Sequence, residues 1–422
     1  MNRMTRSSVA VATFALVAVL ATTTGCLSQP AEFETNAAYL YRTERARGED
    51  FRFEPSQTDD VERVLTEWFG TPDDPRAPKI GDLDFSTVLD ADRLTMASGA
   101  VYSDQEDTKF GLYREHCAHC HGVTGDGKGP TAPFLNPYPR DYRMGVFKFK
   151  STPRGSRPTH DDLRRILVEG IPGTSMPSFR LLKEEELESL VDYVRYLSIR
   201  GEVERALIGE LNELGEGQRL LPEDAPADDE AAAEQKARVL TNVKRILDRW
   251  AQAEQSVSPV PPRPAKFDDP EELAAAIERG KAIFHGDVGN CARCHGTTAL
   301  GDGQTTDFDD WTKEYDPLDA AVHQIYVDQY DVLPARNAKP RNLRLGALRG
   351  GRRPVDIYWR LANGIDGTPM PAVLTKPEGS PADVTGLTPE EMWSLIEYVR
   401  SLPYDELNDP YQAVPANVRE RP

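Results

Sequence analysis

Apolar positions along this chain recur mostly at helical spacing. Val61, Val64, Leu65 and Trp68 mark a short helix over 60–69, stopped by Thr71-Pro72-Asp73-Asp74-Pro75. A second short helix is expected from Thr108 to Glu115. Thr159 reads as the cap of a helix from His160 to Glu169, and Gly170 ends it. Leu187, Leu190, Val191, Val194 and Leu197 share one face of a helix over 183–199. Val239, Leu240, Val243, Ile246, Leu247 and Trp250 form a stripe between Ala231 and Ala253. Two more helices are predicted, Glu271 to Phe284 and Pro389 to Ser401. The pattern is that of a mainly α chain.

The order of these elements repeats. Pro139-Arg140-Asp141-Tyr142 matches Pro340-Arg341-Asn342-Leu343. Gly173-Thr174-Ser175-Met176-Pro177 matches Gly367-Thr368-Pro369-Met370-Pro371, and Asp192-Tyr193-Val194-Arg195 matches Glu397-Tyr398-Val399-Arg400. This is an internal duplication. The second copy carries extra residues, mainly from Thr306 to Leu333, including Trp311, His323 and Tyr330.

Each copy holds one Cys-X-X-Cys-His: Cys117-Ala118-His119-Cys120-His121 and Cys291-Ala292-Arg293-Cys294-His295. That is the attachment pattern of c-type haem. Two thiols span the two vinyl groups of one porphyrin, and the adjoining His supplies the proximal iron ligand. A zinc site needs a second ligand pair near each motif, and no other Cys lies there. A thioredoxin-like redox pair does not call for the following His. One four-Cys zinc site made from both copies leaves both His residues and both Met motifs unexplained.

Composition adds three constraints. The chain has 422 residues, 39% hydrophobic, which suits two or three soluble domains with modest cores. Its formal net charge of −19 argues against nucleic acid as a partner. Residues 202–236 carry eleven acids and three bases and read as a solvated connector, followed by the stiff spacer Ser258-Pro259-Val260-Pro261-Pro262-Arg263-Pro264. Four of the five cysteines belong to the haem motifs, which leaves no disulfide framework. The fifth, Cys26, follows Arg3, Arg6 and an apolar run from Val9 to Ala21 that is too short to span a bilayer comfortably. Thr24-Gly25-Cys26 resembles a bacterial lipoprotein signal, which implies cleavage before Cys26 and lipidation of its sulfur. An ordinary secretory signal or an uncleaved anchor is the alternative, and either way the chain is expected to be exported.

Leading helix, haem motif, Met loop and closing helix together resemble the class I cytochrome c family, twice in one chain. The resemblance implies two haem c groups. It implies covalent attachment through Cys117, Cys120, Cys291 and Cys294. It implies axial iron ligation by His121 with Met176 and by His295 with Met370, an arrangement that raises the reduction potential. Arg140 and Arg341 are candidates for contacts to haem propionates. The family's leading helix often carries a Gly four residues before an aromatic, kept here as Gly280 and Phe284 but replaced by Lys109 and Tyr113 in the first copy. The carbonyl that fixes the proximal His is sought at Pro130 or Pro133 in the first copy, with no matching Pro in the second. His160 and His323, the possible substitutes for Met, read as solvent-facing, and His116 and His119 as haem-edge or surface residues.

The expected organisation is a signal peptide over 1–25, an irregular N-terminal extension or tether over 26–100 and a first cytochrome c domain over 101–200. An acidic helical linker over 201–270, a second cytochrome c domain over 271–404 and a polar tail over 405–422 complete it. Iron closed by Met and His leaves no open position for substrate, so the expected role is electron transfer rather than catalysis. The setting is a respiratory chain, at the periplasmic face of a bacterial membrane through a lipid anchor. Other cytochromes, an oxidase or a quinol-oxidising complex are the expected redox partners. The alternative is a dihaem peroxidase with one displaceable ligand. A thiosulfate-oxidising enzyme with Cys ligation lacks a spare Cys, and a haem sensor lacks a signalling domain.

Overall fold

The computed structural model describes residues 30–404 apart from 227 and 382. The expected signal, Cys26 and the tail over 405–422 lie outside the described residues. From Phe33 the chain forms one compact unit. Its helices are α1 (Ala37–Arg47), α2 (Pro55–Phe69), α3 (Ala91–Ala97), α4 (Leu112–His116), α5 (Ala118–His121), α6 (His160–Glu169) and α7 (Glu184–Glu210). They continue as α8 (Glu230–Ala251), α9 (Pro270–His285), α10 (Ala292–His295), α11 (Asp310–Lys313), α12 (Ala320–Gln329), α13 (Pro354–Asn363) and α14 (Pro389–Ser401). Among the described residues, strands are confined to two small hairpins, β1 (Lys79–Ile80) with β2 (Leu83–Asp84) and β3 (Tyr102–Ser103) with β4 (Lys109–Phe110). No described helix is long and apolar enough to cross a membrane.

The duplication is visible in how helices begin and cross. Thr159 and Thr388 start α6 and α14 with the same capping box, each hydroxyl accepting the N–H of Asp162 or Glu391 while that carboxylate accepts the cap N–H. In the second unit α9 crosses α14 at Gly280, where a Cβ would strike the Ser394 carbonyl. In the first unit the leading helix expected over 108–115 is cut to its second half, Leu112–His116. The Asp104 carboxylate accepts the N–H groups of Glu106 and Thr108, which closes a hairpin, and Tyr102 stacks on Phe110 at 4.8 Å. Gly111 then turns left-handed into the short α4. The helix that packs on α7 is instead α3, from the segment expected to be a tether, with Leu94 and Ala97 fully buried.

The closing helix does not stop at 199 but runs to Glu210, and α8 folds back on it. Val239, Val243, Ile246, Leu247 and Trp250 join the first unit's core. Part of the acidic run is therefore structural rather than solvated. Glu202 accepts from Arg157 Nε at 2.8 Å and from Trp250 Nε1 at 2.9 Å. Glu204 accepts the Asn36 N–H at 2.7 Å, and Glu210 pairs with Arg238 at 2.7 Å. These acids sit where the last turns of α7 are covered by α8 and α1, so each needs a donor. The proline-rich spacer is pinned in turn, with Ser258 and Pro261 carbonyls accepting from Trp359 and Trp393.

The N-terminal extension and the second unit's insertion, both without a counterpart in the duplication, pack on each other. Ala38 and Tyr41 of α1 form a core with Tyr315, Tyr326 and Val332. His323 is buried there, not solvent-facing. Its Nε2 accepts the Ala335 N–H at 3.0 Å, so Nδ1 donates to the Tyr315 carbonyl at 2.7 Å.

The extension is tied to the first unit through Asp60 of α2. Its carboxylate, 1% exposed, accepts from Arg219 Nε at 2.7 Å and from the Leu220 N–H at 3.0 Å. Burial alone would raise its pKa, but the hydrogen bonds from Arg219 and Leu220 outweigh it and hold the carboxyl below its ordinary 3.8. A group lowered on folding stabilises above its unfolded pKa and loses that contribution as pH falls through the folded one. Asp60→Asn is expected to cost about 1–3 kcal/mol at neutral pH. Chemical denaturation should show the gap to wild type narrowing below pH 3.8.

Candidate haem sites

Each Cys-X-X-Cys-His folds as a single helical turn. The Cys117 carbonyl accepts from the N–H groups of Cys120 and His121 at 3.1 and 2.9 Å, and Cys291 does the same for Cys294 and His295 at 3.2 and 2.9 Å. Both cysteines and the His are thereby displayed from one turn. Gly122 and Gly296 end the turns with φ of +73° and +80°. The following loop folds back on the motif. Gly127 and Gly301 donate to the His121 and His295 carbonyls at 2.9 and 2.8 Å. Gly129 and Gly303 lie flat against the turn, where a Cβ would sit 2.5 Å from the His119 carbonyl or 2.6 Å from that of Arg293. None of the four motif cysteines is paired in a disulfide.

The proximal imidazoles are oriented from behind. His121 Nδ1 meets the Arg140 carbonyl at 3.1 Å, and His295 Nδ1 meets the Arg341 carbonyl at 3.0 Å. A carbonyl only accepts, so Nδ1 carries the proton and Nε2 keeps its lone pair for the metal. The brace is neither Pro130 nor Pro133. It comes from the main chain of the matched Pro-Arg pairs, whose repetition was the available signal. Tyr142 stacks on His121 at 4.8 Å, and Tyr113 donates to the Gly122 carbonyl at 2.9 Å. Burial pushes His121 down to about 4 and lowers His295 as well, so both rings are neutral, as a ligating imidazole must be. Burial also pushes the Cys117 thiol up to about 12 and Cys291 to about 11.

The Gly-Thr-X-Met-Pro loops are superimposable in their bonding. Ile171 donates to the Met176 carbonyl and Ile365 to that of Met370, both at 3.1 Å. Thr174 and Thr368 hydroxyls each donate to the Ile carbonyl at 2.8 Å and accept the Met N–H at 3.1 and 3.2 Å. Gly173 and Gly367 take φ of +72° and +70°, which a side chain would strain. The motif is thus a closed turn that holds one methionine at its tip. Met392 is fully buried in the second unit's core, and Met96 accepts from the Ser189 hydroxyl at 3.2 Å.

In the second unit a cavity of about 1360 Å³ is lined by Cys291, Cys294, His295 and Met370, with Phe284, Leu343, Ile357 and Leu361 as apolar wall. Arg140 and Lys148 of the first unit also line it, beside Arg341, Arg349 and Arg360. Two cysteines on one turn, a neutral braced imidazole, a thioether on a closed turn, apolar walls and cations for two carboxylates fit a covalently held haem. His116 lies edge-on to Phe179 and His119 is exposed, while His160 sits 3.2 Å from Glu188.

The family model described as Cytochrome c matches residues 110–198 and 277–403, one stretch for each unit. No curated protein matches the chain. Among solved structures, a chain of the Kuenenia stuttgartiensis reducing HAO-like protein complex is similar at 26% identity, over 70% of this chain and 94% of that one, with a TM-score of 0.44.

Because no side chain fits between the motif turn and the loop, Gly303→Ala is expected to lower haem attachment in the second unit while leaving the first intact. Intact-mass analysis of the purified protein should show a species lacking one haem.

Proposed function

The chain belongs to the cytochrome c family, a family of haem-binding electron-transfer domains, and from that premise we propose a dihaem c-type cytochrome with both irons held by Met and His. The observation that carries this reading is the identical construction of the two sites, each with a carbonyl-braced His and a closed turn presenting Met176 or Met370. Bound haem supplies a one-electron couple, and Met/His ligation sets it high. The protein's part is to hold each ring rigidly. The neutral imidazole and the fixed loop need little rearrangement when charge changes. With His and Met filling both ligand positions, the role is passing electrons rather than turning over a substrate. Arg140 and Arg341 are assigned to the carboxylates of the haem, with Lys148 beside them.

Oxidised protein should show Met-to-ferric charge-transfer absorption from both haems, no high-spin signal and no turnover of hydrogen peroxide. Met176→Ala and Met370→Ala should each remove one of the two contributions. A high-spin haem in the unaltered protein would sink the relay and favour a peroxidase.

The leader supports a membrane tether. A lipidated Cys26 would place the chain on the periplasmic face of a bacterial membrane, close to other cytochromes, an oxidase or a quinol-oxidising complex. Cys26→Ala is expected to move the protein from the detergent phase to the soluble fraction in a phase-partition assay. Wild type that partitions as soluble would remove the tether.

A further inference from the structure

The two methionine turns share a feature that the duplication does not require: each is held from the other unit. In the first unit's turn, the Gly173 carbonyl accepts from Arg349 Nη2 at 3.4 Å. The Arg341 guanidinium covers the same glycine so closely that a Cβ there would lie 2.5 Å from Nη2. Both arginines belong to the second unit. The second unit's turn is gripped from the first. The Asp366 carboxylate accepts the Gly155 N–H at 2.9 Å and pairs with Lys150 Nζ at 3.3 Å and Arg154 Nε at 3.8 Å. The Thr368 carbonyl accepts from Arg154 Nη2 at 3.1 Å. Gly367 is covered by the Trp311 ring and by Val146.

The arginines that brace the histidines take part in this exchange. Arg140 offers its carbonyl to His121 and lays its guanidinium on Trp311 at 3.3 Å, while Trp311 Nε1 donates to the Asp141 carbonyl at 3.2 Å. Arg341 offers its carbonyl to His295 and its guanidinium to Gly173. A contiguous set of contacts thus runs from each proximal His to the opposite methionine turn. One passes through Arg140, Trp311 and Gly367, the other through Arg341 and Gly173.

We propose that the two iron sites are cross-braced: Arg349 positions the Met176 thioether, and Lys150 and Arg154 position that of Met370. This rests on the Met/His ligation proposed above. Charge-assisted hydrogen bonds to the turn resist its displacement. Ligand geometry and nearby charge are levers on haem potential, so each unit tunes the other's couple. These are positioning residues; none touches the iron. Met370 therefore answers to a segment more than 200 residues away in sequence, and Met176 to one well beyond the linker.

The test uses the full holoprotein with Arg154→Ala, Arg349→Ala and Arg154→Lys. Each haem is followed by the shifted methyl resonance of its own methionine, assigned by Met176→His and Met370→His, and by its midpoint potential. Arg154→Ala is expected to move the Met370 resonance and lower the second haem's midpoint, leaving the first haem unchanged. Arg349→Ala should move the Met176 resonance and lower the first haem's midpoint; because Arg349 also lines the second unit's cavity, the first haem's response is the readout for this variant. At the wild-type midpoint the oxidised-to-reduced ratio of the affected haem should rise roughly three- to tenfold. Arg154→Lys, which keeps the charge, should recover at least half of the shift. Variants that move only the haem of their own unit, or neither haem, overturn the cross-brace. Absence of shifted methionine methyls in the wild type overturns the ligation itself, and with it the brace.

Discussion

The hydrogen bond from each proximal imidazole to an arginine carbonyl is the contact on which both sites depend. It fixes the tautomer, and the tautomer decides which nitrogen is free for a metal. The carbonyl in turn must be held. In the first unit that falls to the segment 139–142, which is fastened by Tyr142 donating its N–H to the Gly125 carbonyl at 2.8 Å and by its ring stacking on His121. In the second unit Leu343 donates to the Ala299 carbonyl at 2.9 Å. Motif turn, glycine loop and Pro-Arg segment therefore close on one another in both copies, with the histidine at the centre.

That closure explains the density of glycine around the motifs. Gly129 and Gly303 back onto the carbonyls of a helical turn, and Gly127 and Gly301 back onto the Pro-Arg segment. A chain that wraps a one-turn helix this tightly has no room for Cβ atoms on its inner side. Phe284, Leu343, Ile357 and Leu361 of the second unit's cavity line a space that would take the haem.

Much of this was legible in the sequence because it is local. The haem motifs, the Gly-Thr-X-Met-Pro turns and the capped helices beginning at His160 and Pro389 are written in residues a few positions apart. What was not legible is decided between distant segments. The helix on α7 comes from residues 91–97 rather than 108–115, because Gly111 and the Asp104 turn favour a hairpin just before the motif. Glu202 and Glu204 look like solvated acids until α8 and Asn36 are known to cover them. His323 has the composition of a surface residue, and only the fold of the insertion supplies both of its hydrogen-bond partners. The Pro-Arg repeat is legible too, but main-chain carbonyls carry no residue signature, so the contacts of Arg140 and Arg341 to the histidines appear only in the fold.

The two parts that the duplication leaves over make sense as one device. Reciprocal gripping of methionine turns needs two units held in one orientation, and a tandem repeat joined by a flexible linker would not supply it. Here the linker is not flexible: α8 is packed on α7, and the proline spacer is hydrogen-bonded along the second unit. The insertion carries Trp311 to the junction at one end and offers Tyr326 and Tyr330 at the other. Helix α1 then clasps it from the far side through Tyr41 and through Arg45 with Asp316 at 2.8 Å. Arg205 of α7 pairs with Glu314 of the same insertion at 3.1 Å. Extension, closing helix and insertion thus converge on the residues flanking Trp311. Orientation of the units and geometry of the methionine turns are set by one continuous interface, so neither can relax without the other.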